Sequence, residues 1–81
     1  MFGKKTHTPS ENILILGLGE VGYYLSKRLA HEGYAITVIE SEGGLIREAD
    51  GNLDARLIQG SAMSIDCWRG ANAEKMDYLI A

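Results

Sequence analysis

Three glycines, Gly17, Gly19 and Gly22, stand at G-x-G-x-x-G spacing directly after the apolar run ILIL. Where such a loop follows a buried strand and opens a helix, each glycine has its own role. The first permits a tight turn, the second lets a pyrophosphate approach the backbone, and the third lets the helix pack closely on the strand. The N–H groups at the helix start, with the helix dipole behind them, then favour a phosphate. Because glycines at this spacing also occur by chance, the interpretation depends on the elements around them.

A carboxylate stands where a dinucleotide site needs one. Glu40 ends the second apolar run, YAITVIE, about twenty residues after the loop. An acid at that position accepts hydrogen bonds from an adenosine ribose and repels a 2′-phosphate, which favours NAD over NADP. The alternative for Glu40 alone is an ordinary polar residue that leaves a strand. Glu20 lies inside the loop itself, and we interpret it as a first-turn acid that complements the helix dipole.

The elements around these residues are predicted from hydrophobic periodicity. Continuous apolar runs predict strands, and apolar residues at helical spacing predict helices. The predicted strands cover residues 12–16, 34–40, 55–59 and 77–81, and the predicted helices cover residues 20–32, 43–53 and 64–69. This β-α-β-α-β-α-β order predicts an α/β fold with a Rossmann-like parallel sheet.

Two details of this prediction concern side-chain direction and chain ends. Val21, Leu25 and Leu29 share one face of the first helix, which is expected to pack inward and to leave the other face largely to solvent, with Lys27, Arg28, His31 and Glu32. Ile65 and Trp68 are expected to face inward from the third helix. Residues 1–11 are polar and aperiodic, and we expect a flexible N-terminal arm before a dinucleotide-binding domain spanning 12–81.

Composition excludes several classes of function. The 81 residues carry a net charge of −3, and no basic run exceeds two residues, so nothing indicates a nucleic-acid surface. No apolar run approaches the roughly 20 residues that a membrane span needs. The single cysteine, Cys67, and the two histidines, His7 and His31, have no metal-site spacing, and neither histidine is a credible catalytic base. We therefore predict neither a metal site nor catalytic residues.

Two blocks of the sequence, ILGLGEVGYYLSKRLAHEGYAITVIE and ARLIQGSAMSIDCWRGANAEKMDYLIA, carry a family likeness. The glycine loop is common to many Rossmann proteins, whereas the second block discriminates among them. It has a strand ending in Gln59-Gly60, a short helix, the turn GANAEKMD and the strand YLIA. In these features the chain resembles the TrkA-N (KTN or RCK N-terminal) nucleotide-binding domains of Trk-type potassium uptake regulators, over about residues 12 to 81.

The resemblance implies a regulatory, non-enzymatic domain in the cytoplasm, at the inner face of a membrane potassium transporter or channel. Such domains bind NAD(H), or in some relatives ATP, ADP or AMP, and assemble as homodimers or larger rings. Ligand exchange then gates the membrane pore. By this resemblance Gly17, Gly19 and Gly22 hold the phosphates and Glu40 the ribose. Ser41 is expected to reach the ribose or a phosphate edge, and Gly60 and Ser61 are expected to lie beside the adenine. The implied cofactor-binding residues are Gly17, Leu18, Gly19, Glu20, Val21, Gly22, Glu40, Ser41, Gly60 and Ser61.

The chain departs from the family pattern at two points. Ser61 stands where many relatives have an aspartate, which affects the expected adenine-side contact. Family domains also continue past the fourth strand, so the sheet is expected to be truncated there, with an edge that a second copy covers. Two other functions stay open: the N-terminal part of an NAD-dependent dehydrogenase, and an assembly module that has lost its ligand.

Overall fold

The computed structural model of the chain describes residues 11–61 and 64–81, and the predicted arm lies outside them except for Glu11. Strands and helices alternate along the described chain. The strands are β1 (Asn12–Leu16), β2 (Ala35–Glu40), β3 (Arg56–Gln59) and β4 (Tyr78–Ile80). The helices are α1 (Glu20–His31), α2 (Gly43–Ala49) and α3 (Ile65–Gly70), and one 3₁₀ turn, Ala73–Lys75, precedes β4.

The four strands form one parallel sheet in the order β3-β2-β1-β4. The first three strands are laid down from the centre towards one edge, and the chain then returns to place β4 on the other side of β1. The predicted Rossmann-like α/β fold is therefore confirmed. At the amino end of the sheet, the Ala35 amide donates to the Glu11 carbonyl at 2.9 Å, so the β1–β2 pairing begins at Glu11.

Both faces of the sheet are covered, which explains the continuous apolar runs in β1 and β2. One hydrophobic cluster lies between the sheet and the helices α1 and α2, and it includes Ile13, Ile15, Leu18, Ile36, Val38, Ala49 and Leu53. A second cluster lies on the opposite face beneath α3, and it includes Leu14, Ile39 and Ala71. Trp68 is half-buried and packs against this second cluster.

Helix α2 is shorter than the sequence predicted. It ends at Ala49 instead of Leu53, because Gly51 adopts a left-handed conformation at φ +87°. The Asn52 side chain then donates to the Glu48 carbonyl at 2.9 Å and occupies an acceptor at the helix end. Leu53 is nevertheless buried, because the turn brings it back into the first cluster.

Two predicted inward-facing residues are exposed. Val21 is 71% exposed and Ile65 is 67% exposed, so both predictions of burial were wrong. In α1 the fully buried position is Ser26, whose hydroxyl donates to the Gly22 carbonyl at 2.7 Å. The buried face of α1 is thus centred on Ser26 and rotated away from Val21.

Candidate functional site

The candidate site lies at the carboxyl edge of the sheet, where the chain changes direction. In open parallel sheets, ligands bind in the crevice at the point where the strand order reverses. In the order β3-β2-β1-β4 that point lies between β1 and β4. The loop from Gly17 to Gly19 leaves β1 there and leads directly into α1.

Two of the three loop glycines are required by the chain itself. Gly17 has φ +107°, a conformation that side chains rarely adopt, and its amide donates to the Ile39 carbonyl at 2.9 Å. A Cβ at Gly22 would overlap the Gly17 carbonyl oxygen, so any larger residue would push α1 away from the loop. These two positions fit the predicted tight turn and the predicted close helix packing.

At position 19, neither the backbone conformation nor the packing within the chain requires a glycine. Its φ of −62° and ψ of −175° suit any residue, and a Cβ built there would meet no atom within 4 Å. The glycine therefore leaves open space above the loop backbone. That open space is the feature that an approaching pyrophosphate requires.

Helix α1 begins at this open space without a side-chain cap. Gly19 is the N-cap residue, and no side chain in the described part of the chain accepts from the first turn of α1. The N–H groups of a first turn have no acceptor inside the helix. They border a cavity of about 420 Å³, here called the loop cavity, lined by Ile15, Leu16, Gly17, Gly19, Glu20, Val21, Gly22, Leu25, Ile80 and Ala81.

Glu40 lies at the end of β2 and touches the glycine loop directly. Its Oε1 accepts from the Leu18 amide at 2.6 Å, and its Oε2 accepts from the Glu42 amide at 2.7 Å. The carboxylate is half-buried between these two donors. Each oxygen keeps acceptor capacity for another donor, since an ionised carboxylate offers about four lone-pair positions.

A smaller cavity of about 190 Å³ opens beside this carboxylate. This Glu40 cavity is lined by Leu16, Gly17, Ile39, Glu40, Ser41, Gly60 and Ser61. It therefore brings together the four residues that the sequence placed on the ribose and adenine side. Gly60 is held there by its amide, which donates to the Glu40 carbonyl at 2.9 Å.

The ten predicted site residues thus all lie at this edge of the sheet. They differ in whether their side chain or only their backbone is exposed to the cavities. The Leu18 side chain is buried in the first cluster, so only its backbone reaches the loop. Val21 and Glu20 are exposed at the rim of the loop cavity. Neither the loop cavity nor the Glu40 cavity has a lysine or arginine among its described lining residues. A phosphate would therefore depend on backbone N–H groups and the helix dipole.

One groove beside the loop was not predicted from the sequence. It has a volume of about 490 Å³, runs between α1 and α2, and is lined by Leu18, Gly19, Glu20, Tyr23, Leu45, Glu48 and Ala49. Tyr23 is half-buried and packs against the first cluster, whereas its neighbour Tyr24 is exposed. Periodicity does not reveal such a groove, because it depends on how two helices diverge over the sheet.

Within residues 11–61 and 64–81, no group of three His, Cys, Asp or Glu side chains is arranged to hold a metal ion. His31 is exposed on α1, and His7 lies outside the described residues. No helix in this part of the chain has the length and apolarity needed to cross a membrane.

Comparison with known proteins identifies the family. The family model that describes the TrkA-N domain matches residues 13–81, from β1 through the glycine loop and Glu40 to the end of β4. The chain belongs to the TrkA-N domain family. The resemblance drawn from the residues is therefore confirmed, and the fold is the Rossmann type of a nucleotide-binding domain.

Curated relatives of this TrkA-N domain include potassium uptake proteins. It is 39% identical over 69 residues to the Trk system potassium uptake protein TrkA of Halomonas elongata, and 35% identical to that of Vibrio alginolyticus. It is also 35% identical to a Trk system potassium uptake protein TrkA homolog of Methanothermobacter thermautotrophicus. Each match covers 85% of this chain but only 15% of the first two relatives and 32% of the third. The chain thus spans a minor part of the length of these proteins.

Proposed function

We propose that this TrkA-N domain is a non-catalytic sensor of NAD(H), or of a related adenine nucleotide such as ATP, ADP or AMP. The observation that carries the proposal is Gly19. It is a glycine that neither backbone conformation nor packing requires, and it lies at the uncapped start of α1. A ligand phosphate gives both features a reason, because it needs the free space and satisfies the free N–H groups.

The roles of the remaining residues follow from their places around the two cavities. Gly17 and Gly22 hold the loop against α1, and the backbone of Leu18, Glu20 and Val21 completes it. Glu40 would accept hydrogen bonds from the ribose hydroxyls through its unused lone pairs. Its negative charge would repel a 2′-phosphate, which favours NAD(H) over NADP(H).

The adenine side would be formed by residues that follow β2 and β3. Ser41, Gly60 and Ser61 line the Glu40 cavity beside the carboxylate. A serine at position 61 offers a hydroxyl where many relatives are expected to offer a carboxylate. A hydroxyl can donate as well as accept, whereas an ionised carboxylate only accepts, so the serine can bond either a donor or an acceptor on the adenine edge.

The names of the relatives support a link between this domain and potassium transport. We infer that the domain works in the cytoplasm at the inner face of the plasma membrane, as a regulatory part of a potassium uptake system. The bound nucleotide would then alter how the domain contacts a membrane transporter or channel subunit. The names of the relatives from Halomonas elongata and Vibrio alginolyticus support this inference.

Self-association is part of the same proposal. Tyr78 and Leu79 of the edge strand β4 are each more than half exposed, as are Val21 and Tyr24 of α1. A homodimer or larger ring would cover such surfaces, since unpaired strand edges are rarely left open. Sedimentation equilibrium tests this part: a monomer at high micromolar concentration would contradict it.

The binding proposal is tested with Gly19→Ala. Wild-type and variant chains are titrated with NADH, NAD, NADPH, ATP, ADP and AMP by calorimetry, and both are melted with and without each nucleotide. A ligand at a hundred times its dissociation constant should stabilise the wild type by about 2.7 kcal/mol. The added methyl group meets no protein atom, so the variant should melt like the wild type but bind the preferred nucleotide at least about tenfold more weakly.

Two outcomes would contradict the binding proposal. One is a wild-type chain that no nucleotide stabilises, which favours the assembly module without a ligand. The other is full nucleotide affinity in Gly19→Ala, which would mean that the phosphate does not approach this backbone.

The potassium link is tested by a chimera. This chain replaces the matching 69-residue segment of the Halomonas elongata relative, and potassium uptake is measured in a strain lacking that protein. We expect uptake to be restored by the chimera and reduced when it carries Gly19→Ala. A chimera that folds and binds nucleotide but restores no uptake would contradict a role in potassium transport.

A further inference from the structure

Glu40 makes more contacts than ribose recognition requires. Its carboxylate accepts from Leu18 in the loop after β1 and from Glu42 in the turn after β2. Its main-chain carbonyl accepts from Gly60 at the end of β3, at 2.9 Å. One residue thus connects the three loops that form the carboxyl edge.

The bond to Leu18 has a particular effect on the glycine loop. Two consecutive amides of the loop donate to two consecutive residues of β2: Gly17 to the Ile39 carbonyl and Leu18 to the Glu40 carboxylate. The Leu18 side chain is also anchored in the first cluster. The loop up to Leu18 is therefore fixed by hydrogen bonds from its backbone to β2 and by the packing of the Leu18 side chain. The amides that follow Leu18 lie at the open space where α1 begins.

The bond to Glu42 supports the neighbouring turn. Glu42 is the N-cap residue of α2, and its amide lies two residues beyond the strand end. Hydrogen bonds to a carboxylate are stronger than those between neutral groups. Because both carboxylate oxygens are used, Glu40 fixes the spacing between the glycine loop and the start of α2.

We infer that Glu40 is a positioning residue, which holds the phosphate loop in its binding conformation before any nucleotide arrives. The inference rests on the proposed nucleotide site and deepens it. A residue that only touched the ribose would affect ligands through their ribose hydroxyls alone. A residue that positions the loop affects every ligand that places phosphates at the start of α1, including one with no ribose hydroxyls.

The test uses Glu40→Gln with Glu42→Gln as its matched control. A glutamine at position 40 keeps the shape, but its amide nitrogen donates, so it can accept from only one of the two backbone N–H groups. Glu42 has an exposed side chain, and its replacement removes the same charge nearby without removing an acceptor from the loop. ATP and 2′,3′-dideoxy-ATP are titrated into all three chains by calorimetry.

The direction of the change in nucleotide affinity separates the loss of loop positioning from the loss of a negative charge. Removing a carboxylate near a phosphate site by itself strengthens the binding of an anion, because like charges repel. We therefore expect Glu42→Gln to bind both nucleotides as well as or better than the wild type. We expect Glu40→Gln to bind both about tenfold more weakly, as the loss of a hydrogen bond to a charged group implies. If Glu40→Gln weakens ATP but leaves dideoxy-ATP unchanged, Glu40 is a ribose contact only and the inference is overturned.

A second measurement needs no ligand. Amide hydrogen exchange is followed by NMR in the nucleotide-free chains. We expect the Leu18 amide to exchange at least about tenfold faster in Glu40→Gln than in the wild type or in Glu42→Gln, because it has lost a charged acceptor. Equal exchange at Leu18 in all three chains would overturn the inference even if nucleotides bind. If no nucleotide binds the wild type, the proposed function fails, whereas faster Leu18 exchange in Glu40→Gln would still show that Glu40 holds the loop.

Discussion

Gly22, in the first turn of α1, lies so close to Gly17 that a Cβ at position 22 would overlap the Gly17 carbonyl oxygen. The contact joins the start of the helix to the turn that leaves β1. It explains the third glycine of the motif by packing within the chain, and it distinguishes that glycine from Gly19, which borders open space.

The first prediction is that Gly22→Ala destabilises the fold. The methyl group must displace backbone, which does not yield as a flexible side chain does, so we expect a loss of about 1–3 kcal/mol in the free energy of unfolding. Urea denaturation followed by circular dichroism measures it. Gly19→Ala serves as the control and should remain within about 0.5 kcal/mol of the wild type. Equal stability of the two variants would contradict the close contact.

The second prediction concerns Gly60 and Cys67, which pack against each other beside the Glu40 cavity. A Cβ at Gly60 would overlap the Cys67 Sγ. Gly60→Ala should therefore destabilise the fold by about 0.5–1 kcal/mol, less than Gly22→Ala, because the Cys67 thiol can rotate away from the methyl group whereas the Gly17 backbone cannot. In the double variant Gly60→Ala/Cys67→Ala the sulfur is gone, so the two single losses should sum to more than the loss measured for the double variant.

This double-mutant cycle is measured by equilibrium unfolding of the wild type, the two single variants and the double variant. A coupling of at least about 0.5 kcal/mol in the direction of rescue is expected for residues in direct contact. Strict additivity would mean that the thiol does not occupy the space above Gly60. Cys67→Ala alone also reports what the half-buried thiol contributes to packing.

The third prediction concerns Asp77, which ties the start of β4 to the start of β1. Its carboxylate accepts from the Asn12 amide at 2.7 Å, and its own amide donates to the Asn12 carbonyl at 2.8 Å. Asp77→Ala removes the charged acceptor and should cost about 1–2 kcal/mol. Amide exchange should quicken first in β4, an edge strand of three residues, and more than in β2 at the centre of the sheet. Uniform quickening across the sheet would argue against a local role, and Asp54→Ala, on an exposed loop, is the control.

The fourth prediction concerns the start of α3. The Ser64 hydroxyl accepts from the Cys67 amide at 3.3 Å and caps this six-residue helix. Ser64→Ala should therefore cost about 0.5–1 kcal/mol, whereas Ser64→Asp should retain the cap. Thermal melts of the three chains measure the difference. A Ser64→Asp chain as unstable as Ser64→Ala would indicate that the hydroxyl does not cap α3.

Most of the fold could be predicted because its strands and helices follow from short-range sequence patterns, such as apolar runs and glycine turns. The bounds of the strand Asn12–Leu16 and the start of the first helix at Glu20 were predicted as the structure has them, because an apolar run meets a glycine turn there. The end of α2 could not be placed. Leu53 continues the helical spacing of Leu45 and Ala49, and its burial depends on the turn at Gly51.

Side-chain exposure was predicted less well than secondary structure. Val21 and Ile65 are apolar residues at helical spacing, yet both are exposed. Periodicity shows which residues share a face but not how far the helix is rotated over the sheet. That rotation depends on close contacts such as Gly22 against Gly17, which are made between elements.

The candidate site also combines features that the sequence predicts with a contact that only the tertiary structure shows. The amino-acid sequence by itself determined the spacing of Gly17, Gly19 and Gly22 and the place of Glu40 at a strand end, because both are local features of the chain. Only the tertiary structure decided that the Glu40 carboxylate reaches the Leu18 amide across 22 residues of sequence. That contact exists because β1 and β2 lie side by side in parallel, with Leu16 opposite Ile39, so that their carboxyl ends meet. Register between strands is a long-range property, and no pattern within either strand specifies it.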